Sequence, residues 1–252
     1  MIPYVTLPPL MMGNLVVQPF ALLVSAGVLV AHFLLLARAH RLALSRAWAA
    51  ELSLTMAVCG FAGAVAFKPL YRPDLLAEAG CGAWRNLPGI SSFGGLFGAL
   101  GAAWVYLTLV RRVGATDRLR YLDVAGFAFP FGFAFGRLGC TLAHDHPGLH
   151  AASANWLTVA YPDGARYDLG LLELCFLLSL CAIFLWLDQR PRQPGFFFAA
   201  LLLTYGPFRV ALDRLHVDPP RYAGFSVDQW SGLALLSCGW YFWRRVRLAR
   251  PL

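Results

Sequence analysis

"AFPFGFAFGRLGCTLAHDHPGLH", residues 128–150, decides the fold. An apolar run dense in phenylalanine and glycine carries one arginine, Arg137, and then breaks into His144, Asp145, His146 and His150. Apolar runs of about 20 residues are what a hydrocarbon layer requires of a spanning helix. The rest of the chain matches: of its 252 residues 59% are hydrophobic and 13% charged, and the mean hydropathy is +0.60. That composition specifies an all-α polytopic membrane protein and excludes a soluble globular enzyme.

Working outward from the quoted run, seven apolar spans are expected, near 17–37, 48–67, 90–110, 121–142, 169–187, 195–212 and 227–243. The connections alternate in charge. Thirteen basic residues lie on one side: Arg38, Arg41 and Arg46; Arg111, Arg112, Arg118 and Arg120; Arg190 and Arg192; and Arg244, Arg245, Arg247 and Arg250. Six lie on the other: Lys68, Arg72, Arg85, Arg166, Arg214 and Arg221. The positive-inside rule then puts the N-terminus outside and the C-terminus in the cytoplasm. Long connections, 68–89, 143–168 and 213–226, fall on the outer side, so function is expected there. Trp48, Tyr121, Trp186 and Trp240 near span ends fit interfacial anchoring.

The net charge of +8 is spread among apolar spans and forms no basic domain, so no nucleic-acid partner is expected. The opening "MIPYVTLPPLMMGNLVVQPF" reads as an extramembrane lead-in and not a cleaved signal peptide. Of six cysteines only Cys81 falls clearly in a loop, and no CxxC pair exists, which argues against a disulfide framework. No repeat or linker divides the chain, so residues 1–252 are expected to form one integral membrane domain.

Two arginines, Arg137 and Arg209, lie inside apolar runs. At 1.5 Å per residue Arg137 stands about 25 Å along its helix from Arg120, and Arg209 about 22 Å from Pro194, which puts both in the outer half of the bilayer. A guanidinium there costs several kcal/mol unless an anion or carbonyls meet it. Two at one depth repel unless something negative lies between them, and their planar forks suit a phosphate, such as an anionic phospholipid headgroup. The alternative is pairing within the protein: Arg209 with Asp213, and Arg137 with Glu173 or Asp145. Glycines near these positions, Gly132, Gly136 and Gly139 and then Gly94, Gly95, Gly98 and Gly101, allow close helix packing. The adjacent Gly94 and Gly95 also suit backbone approach to a headgroup.

At this point the motifs resemble a known family. "GRLGCTLAHDHPG", 136–148, is similar to the signature of bacterial prolipoprotein diacylglyceryl transferases, with Gly136, Arg137, Gly139, Leu142 and Gly148 matching and Asp145 in the place of a glutamate. "ISSFGGLFG", 90–98, resembles the family's His-Gly-Gly-Leu segment. "YGPFRVALDR", 205–214, resembles its Arg-x-x-x-Glu helix through Arg209 and Asp213, and "FSVDQW", 225–230, its Thr-x-Gly-Gln segment through Ser226 and Gln229. Glu173 stands where a Leu-Tyr-Glu motif ends. The resemblance runs from about residue 13 to 243. Departures accompany it: Phe93 stands at the histidine before Gly-Gly, Cys140 and Ala143 at two asparagines, Leu172 at the tyrosine before Glu173, Gln18 and Phe20 where His and Tyr are usual, and Ala64 at an arginine.

What the resemblance implies is transfer of the diacylglyceryl group of phosphatidylglycerol to the lipobox cysteine of a preprolipoprotein signal peptide, in the bacterial cytoplasmic (inner) membrane and without a cofactor. Arg137 and Arg209 would stabilise the leaving phosphate, with Glu173 beside them. With Phe93 in the histidine's place, the thiol's proton would go to the cluster His144, Asp145 and His146. Gly94, Gly95, Gly136, Gly139, Asp213 and Gln229 would line the substrate. The same residues leave other readings open. His144–His150 could be a hydrated helix exit; His144, His146 and His150 could hold zinc, though no fourth ligand is evident and no metal is expected; and Cys140 could be inert packing or an acceptor nucleophile. A noncatalytic phospholipid- or lipoprotein-binding relative and a small transporter stay open as function classes.

Overall fold

The structure, a computed structural model, describes residues 1–13, 15–71, 91–217 and 219–248. Most of the expected connection 68–89, with Arg72, Cys81 and Arg85, lies outside the described residues.

Seven long helices occupy the expected spans among the described residues. They are α1 (Pro19–Arg41), α2 (Arg46–Tyr71), α3 (Ser92–Val105, continued by a π-helical turn Tyr106–Val110), α4 (Ala115–Ala143), α5 (Leu169–Leu187), α6 (Phe196–Leu212) and α7 (Val227–Leu248). Five of them, α1, α2, α3 with its π turn, α5 and α6 with the 3₁₀ turn that follows it, are long and apolar enough to cross a membrane. The chain is a helical, multi-pass membrane protein. The other two carry more charge: Arg118, Arg120, Asp123 and Arg137 in α4, and Asp228, Arg244, Arg245 and Arg247 in α7.

The helices pack as three tight pairs, α1 with α4, α2 with α3 and α6 with α7, and α5 lies against α4. Glycine sets each crossing. A Cβ on Gly27 of α1 would run into the carbonyl of Gly132 of α4, and one on Gly132 into the carbonyl of Gly27. Gly63 and Gly94 repeat this reciprocity between α2 and α3, and Gly206 and Gly232 between α6 and α7. In lipid no hydrophobic force drives helix onto helix, so close backbone packing and dispersion must hold them together, and small residues at the crossing allow both.

Buried charge pins the end of the bundle opposite the long connections. Arg38, in the last turn of α1, is 7% exposed. It donates to Asp188 after α5 at 2.5 Å, lies 3.6 Å from Asp123 of α4, and sits 4.1 and 4.5 Å from the ring centres of Phe127 and Phe197. Asp123 has a second task. Gly195, the N-cap of α6, has no side chain to offer, and Asp123 Oδ1 accepts the Phe197 N–H at 2.6 Å in its stead.

The all-α expectation holds for the bundle, and beside it the N-terminal arm and the long connections carry short strands. β1 (Leu10–Met12) pairs with β2 (Leu15–Val17), and β6 (Arg221–Tyr222) with β7 (Phe225–Ser226). The connection after α4 folds as an antiparallel sheet in the order β3 (Pro147–His150), β5 (Gly164–Asp168), β4 (Thr158–Tyr161). Ile2 extends it by bridging Val159, and Gly148 bridges His216, so this small sheet ties the N-terminal arm to the end of α6. Tight turns make strands this short possible: Tyr161 and Gly164 close β4 onto β5, with Gly164 at φ +124°.

Candidate functional site

A cavity of about 290 Å³ opens at the long-connection end of the bundle. Arg137 of α4 and Arg209 of α6 both line it. Between them, on α5, sits Glu173, fully enclosed. Its Oε2 accepts Arg209 at 2.5 Å and pairs with Arg137 at 3.1 Å, and its Oε1 accepts the Tyr205 hydroxyl at 2.6 Å. One carboxylate thus holds two guanidiniums that would otherwise repel, in a place where a lone charge costs several kcal/mol. Arg137 also donates to Ser92 Oγ at 2.9 Å, and Arg209 to Asp228 of α7. The guanidiniums lie 5.0 Å over the rings of Phe133 and Phe93, respectively. In both arginines Nε is enclosed and has no hydrogen-bond partner among the described residues.

Protein carboxylates therefore meet both arginines. Of the pairings expected from sequence, Arg137 with Glu173 holds; Arg209 takes Glu173 and Asp228 in place of Asp213. Asp228 sits nineteen residues further on, across a turn and a hairpin, and no local spacing points to it.

Three helix N-termini converge on this cavity, each capped by its own sequence. Ser91 Oγ accepts the Gly94 N–H at the start of α3, and Asp168 Oδ1 the Leu171 N–H at the start of α5. At α7, Ser226 and Gln229 form a capping box: Ser226 Oγ accepts the Gln229 N–H at 3.0 Å and Gln229 Oε1 accepts the Ser226 N–H at 3.2 Å. Partial positive charge from three helix ends adds to that of the arginines. Gln229 is thus spent on its own helix, while the Ser226 hydroxyl also donates to Asp213 at 2.7 Å, fixing that carboxylate in the wall.

The quoted stretch divides in two. Asp145 and His146 line the cavity, with His146 Nδ1 2.5 Å from Asp145 Oδ1. Burial pushes the Asp145 carboxyl up, but the His146 contact, with Cys140 and Arg137 nearby, overrides it and holds the carboxyl below its ordinary range. His144 points elsewhere and is absent from the cavity lining. It closes α4 in the left-handed conformation, φ 48°, with its ring stacked 4.1 Å from Tyr4 and its Nδ1 2.6 Å from Asp168 Oδ2. Tyr161 donates to the same oxygen at 2.8 Å, and burial together with Asp168 pushes the Tyr161 hydroxyl well up. His150 turns to Asp163. His144, His146 and His150, which together could offer zinc three ligands, are therefore dispersed onto three different carboxylates.

The glycines expected to meet a headgroup meet helices. Gly94 abuts Gly63 and Phe67, Gly95 faces Gly60 and Ala64, Gly136 lies near Val24 and Gly139 presses on Phe20. None of the four lines the cavity. At Gly94 and Gly139 the approach leaves no room for a side chain, whereas a Cβ at Gly95 or Gly136 would meet its neighbours at ordinary van der Waals distance. Cys140 is buried 4.0 Å from an Arg137 nitrogen. Phe93 does line the cavity, its ring beneath Arg209 where the resembling family carries an imidazole.

Comparison with known proteins gives the same direction. The chain is 30% identical over 151 residues to a protein of Chromohalobacter salexigens, a match that covers 56% of this chain and 52% of that protein. It is 28% identical over 162 residues to one from Dehalococcoides mccartyi (62% and 61%), and 29% identical over 175 residues to one from Idiomarina loihiensis (65% and 62%). Each of the three is named phosphatidylglycerol–prolipoprotein diacylglyceryl transferase. The matched regions span about half to three-fifths of the length of those relatives. The family description Prolipoprotein diacylglyceryl transferase matches residues 9–245, nearly the whole chain, and the protein belongs to that family.

Proposed function

We propose that this protein moves the diacylglyceryl group of phosphatidylglycerol onto the lipobox cysteine of a preprolipoprotein signal peptide. It does so as one domain of seven spans in the bacterial inner membrane, N-terminus outside and C-terminus in the cytoplasm. The observation that carries the reading is the pair Arg137 and Arg209, both lining one cavity and bridged by the buried Glu173.

The reaction breaks the bond between a glycerol carbon and its phosphate oxygen and forms a carbon–sulfur bond to the cysteine. Glycerol phosphate leaves with the electron pair. The guanidiniums, held in place beforehand by Glu173 and by the aromatic rings they lie over, stabilise charge that gathers on the phosphate. The thiol proton goes to His146 Nε2, whose ring Asp145 orients through Nδ1. His144 acts at one remove: with Asp168 it fixes the end of α4 and the start of α5, the helices that carry Arg137 and Glu173.

Purified protein in phosphatidylglycerol micelles, given a lipobox peptide, should add the diacylglyceryl mass to the peptide and release glycerol phosphate. Arg137→Ala and Arg209→Ala should abolish both products, and His146→Ala should slow the chemical step by about 10²–10⁴-fold while leaving lipid binding intact. No adduct, with phospholipid binding that still needs both arginines, would favour the second reading, a noncatalytic phospholipid-binding relative. Phe93 at the family's histidine position is the observation behind that reading.

A further inference from the structure

The charges around the cavity are poorly matched to a phosphodiester. Among the described residues its lining carries Lys68, Arg137 and Arg209 against Asp145, Asp213 and Asp228, with Glu173 directly beneath. Carboxylates outnumber cations by one before any anionic ligand arrives. An unexplained oxygen lies in the same wall. Asp213 is 4% exposed; its Oδ2 accepts from Ser226, but its Oδ1 is buried with no hydrogen-bond partner. A carboxylate oxygen in that state is destabilising unless something meets it.

What faces it is a set of metal-ligand atoms. One ligand atom each from Asp213, His216 and Asp228 lie within 4.8 Å of one another, and His216 Nδ1 is 3.6 Å from the orphaned Oδ1, too far to hydrogen bond. Three different segments hold them: Asp213 ends α6 and is tied to Ser226, the backbone of His216 is bridged to Gly148 of β3, and Asp228 is in the first turn of α7. The side chain of Asp213 is enclosed, while those of Asp228 and His216 are 22% and 36% exposed, so an ion has a base to rest on and a route in.

We propose that Asp213, His216 and Asp228 form a site for a divalent transition cation of the Mn²⁺ or Zn²⁺ class. Two carboxylates and one imidazole are a mixed oxygen–nitrogen set that suits these ions better than Mg²⁺ or Ca²⁺, which take oxygen. Metal–ligand bonds of about 2.0–2.2 Å ask the three donors to close by about an ångström, which the exposed His216 ring can supply. The ion satisfies Asp213 Oδ1 and turns the excess of one negative charge into an excess of one positive. It also competes with Arg209 for Asp228, which frees that guanidinium edge for an anion. This last consequence rests on the phospholipid reading given above; the site does not.

Mn²⁺ binding to the full-length protein in detergent, followed by electron paramagnetic resonance and equilibrium dialysis, tests it. One ion per chain is expected, with nitrogen coupling from one imidazole. His216→Ala should abolish the nitrogen coupling, and His216→Ala and Asp213→Asn should each weaken binding by at least about tenfold. Asp213→Asn keeps an acceptor for Ser226, and His150→Ala, remote from the cavity, should change nothing. Absence of saturable Mn²⁺ binding by folded protein, or binding lost in Asp145→Asn and His146→Ala while His216→Ala retains it, overturns the proposal. Protein that binds Mn²⁺ through His216 but gives no peptide adduct would defeat the transferase reading and leave the site standing.

Discussion

Glu173 is the residue on which the site turns, because both guanidiniums and the Tyr205 hydroxyl depend on it. Glu173→Gln keeps the shape and removes the charge, leaving two buried cations facing each other. The expected cost is about 3–5 kcal/mol, read as a lowered midpoint of thermal unfolding in detergent, whereas Tyr205→Phe, which loses one hydrogen bond, should cost about 1–2 kcal/mol. Asp145 gives a pH signature. Its carboxyl is held below the ordinary range in the folded protein, so its contribution is complete above the unfolded-state value near 3.8 and fades as pH falls through the lower folded value. Unfolding midpoints of the parent and Asp145→Asn should therefore differ at pH 6 and converge toward pH 3, by a small margin since the side chain is 45% exposed. The arginines were legible in the sequence because charge inside an apolar run is rare and needs a reason. Asp228 and His216 were not, because the first turn of a helix and a connection are places where polar residues are ordinary, and only the folded chain brings Asp228 beside Arg209.

Among elements, the three glycine crossings make the sharpest claim. Gly27→Ala and Gly63→Ala each place a methyl group in a neighbouring carbonyl and should destabilise by about 1–3 kcal/mol or more. Gly101→Ala on α3, with nothing within 4 Å, should be neutral or stabilise by up to about 1 kcal/mol through helix propensity. Thermal unfolding of the three variants checks the ordering. Helix positions were legible from hydrophobicity because every span in lipid must be apolar along its length. The glycines were legible as small residues but not as to which helix each touches, since a contact map does not follow from spacing. The sheet β3–β5–β4 was invisible: strands of four and five residues in a polar connection carry too little periodicity to distinguish from a loop. The capping box at Ser226 and Gln229 is legible as Ser-x-x-Gln before an apolar run, although the same two residues also match the Thr-x-Gly-Gln segment that implies a substrate role.

For the whole molecule, the orientation drawn from the arginine bias can be checked by labelling. With the native cysteines replaced, Leu149→Cys should react with a membrane-impermeant maleimide in intact spheroplasts, and Arg247→Cys only after permeabilisation. The opposite pattern would invert the topology and put the cavity on the cytoplasmic side. Arg38 carries a different consequence, for the order in which the protein is built. Asp123, Asp188, Phe127 and Phe197, the groups that enclose it, all follow it in the chain, Asp188 by 150 residues and Phe197 further still. When the first span leaves the ribosome its arginine has no counter-ion, and none of the next two spans brings one. That charge stays at the aqueous edge of the bilayer until α4 and α5 have been inserted, so the first helix to be made is among the last to take its final seat.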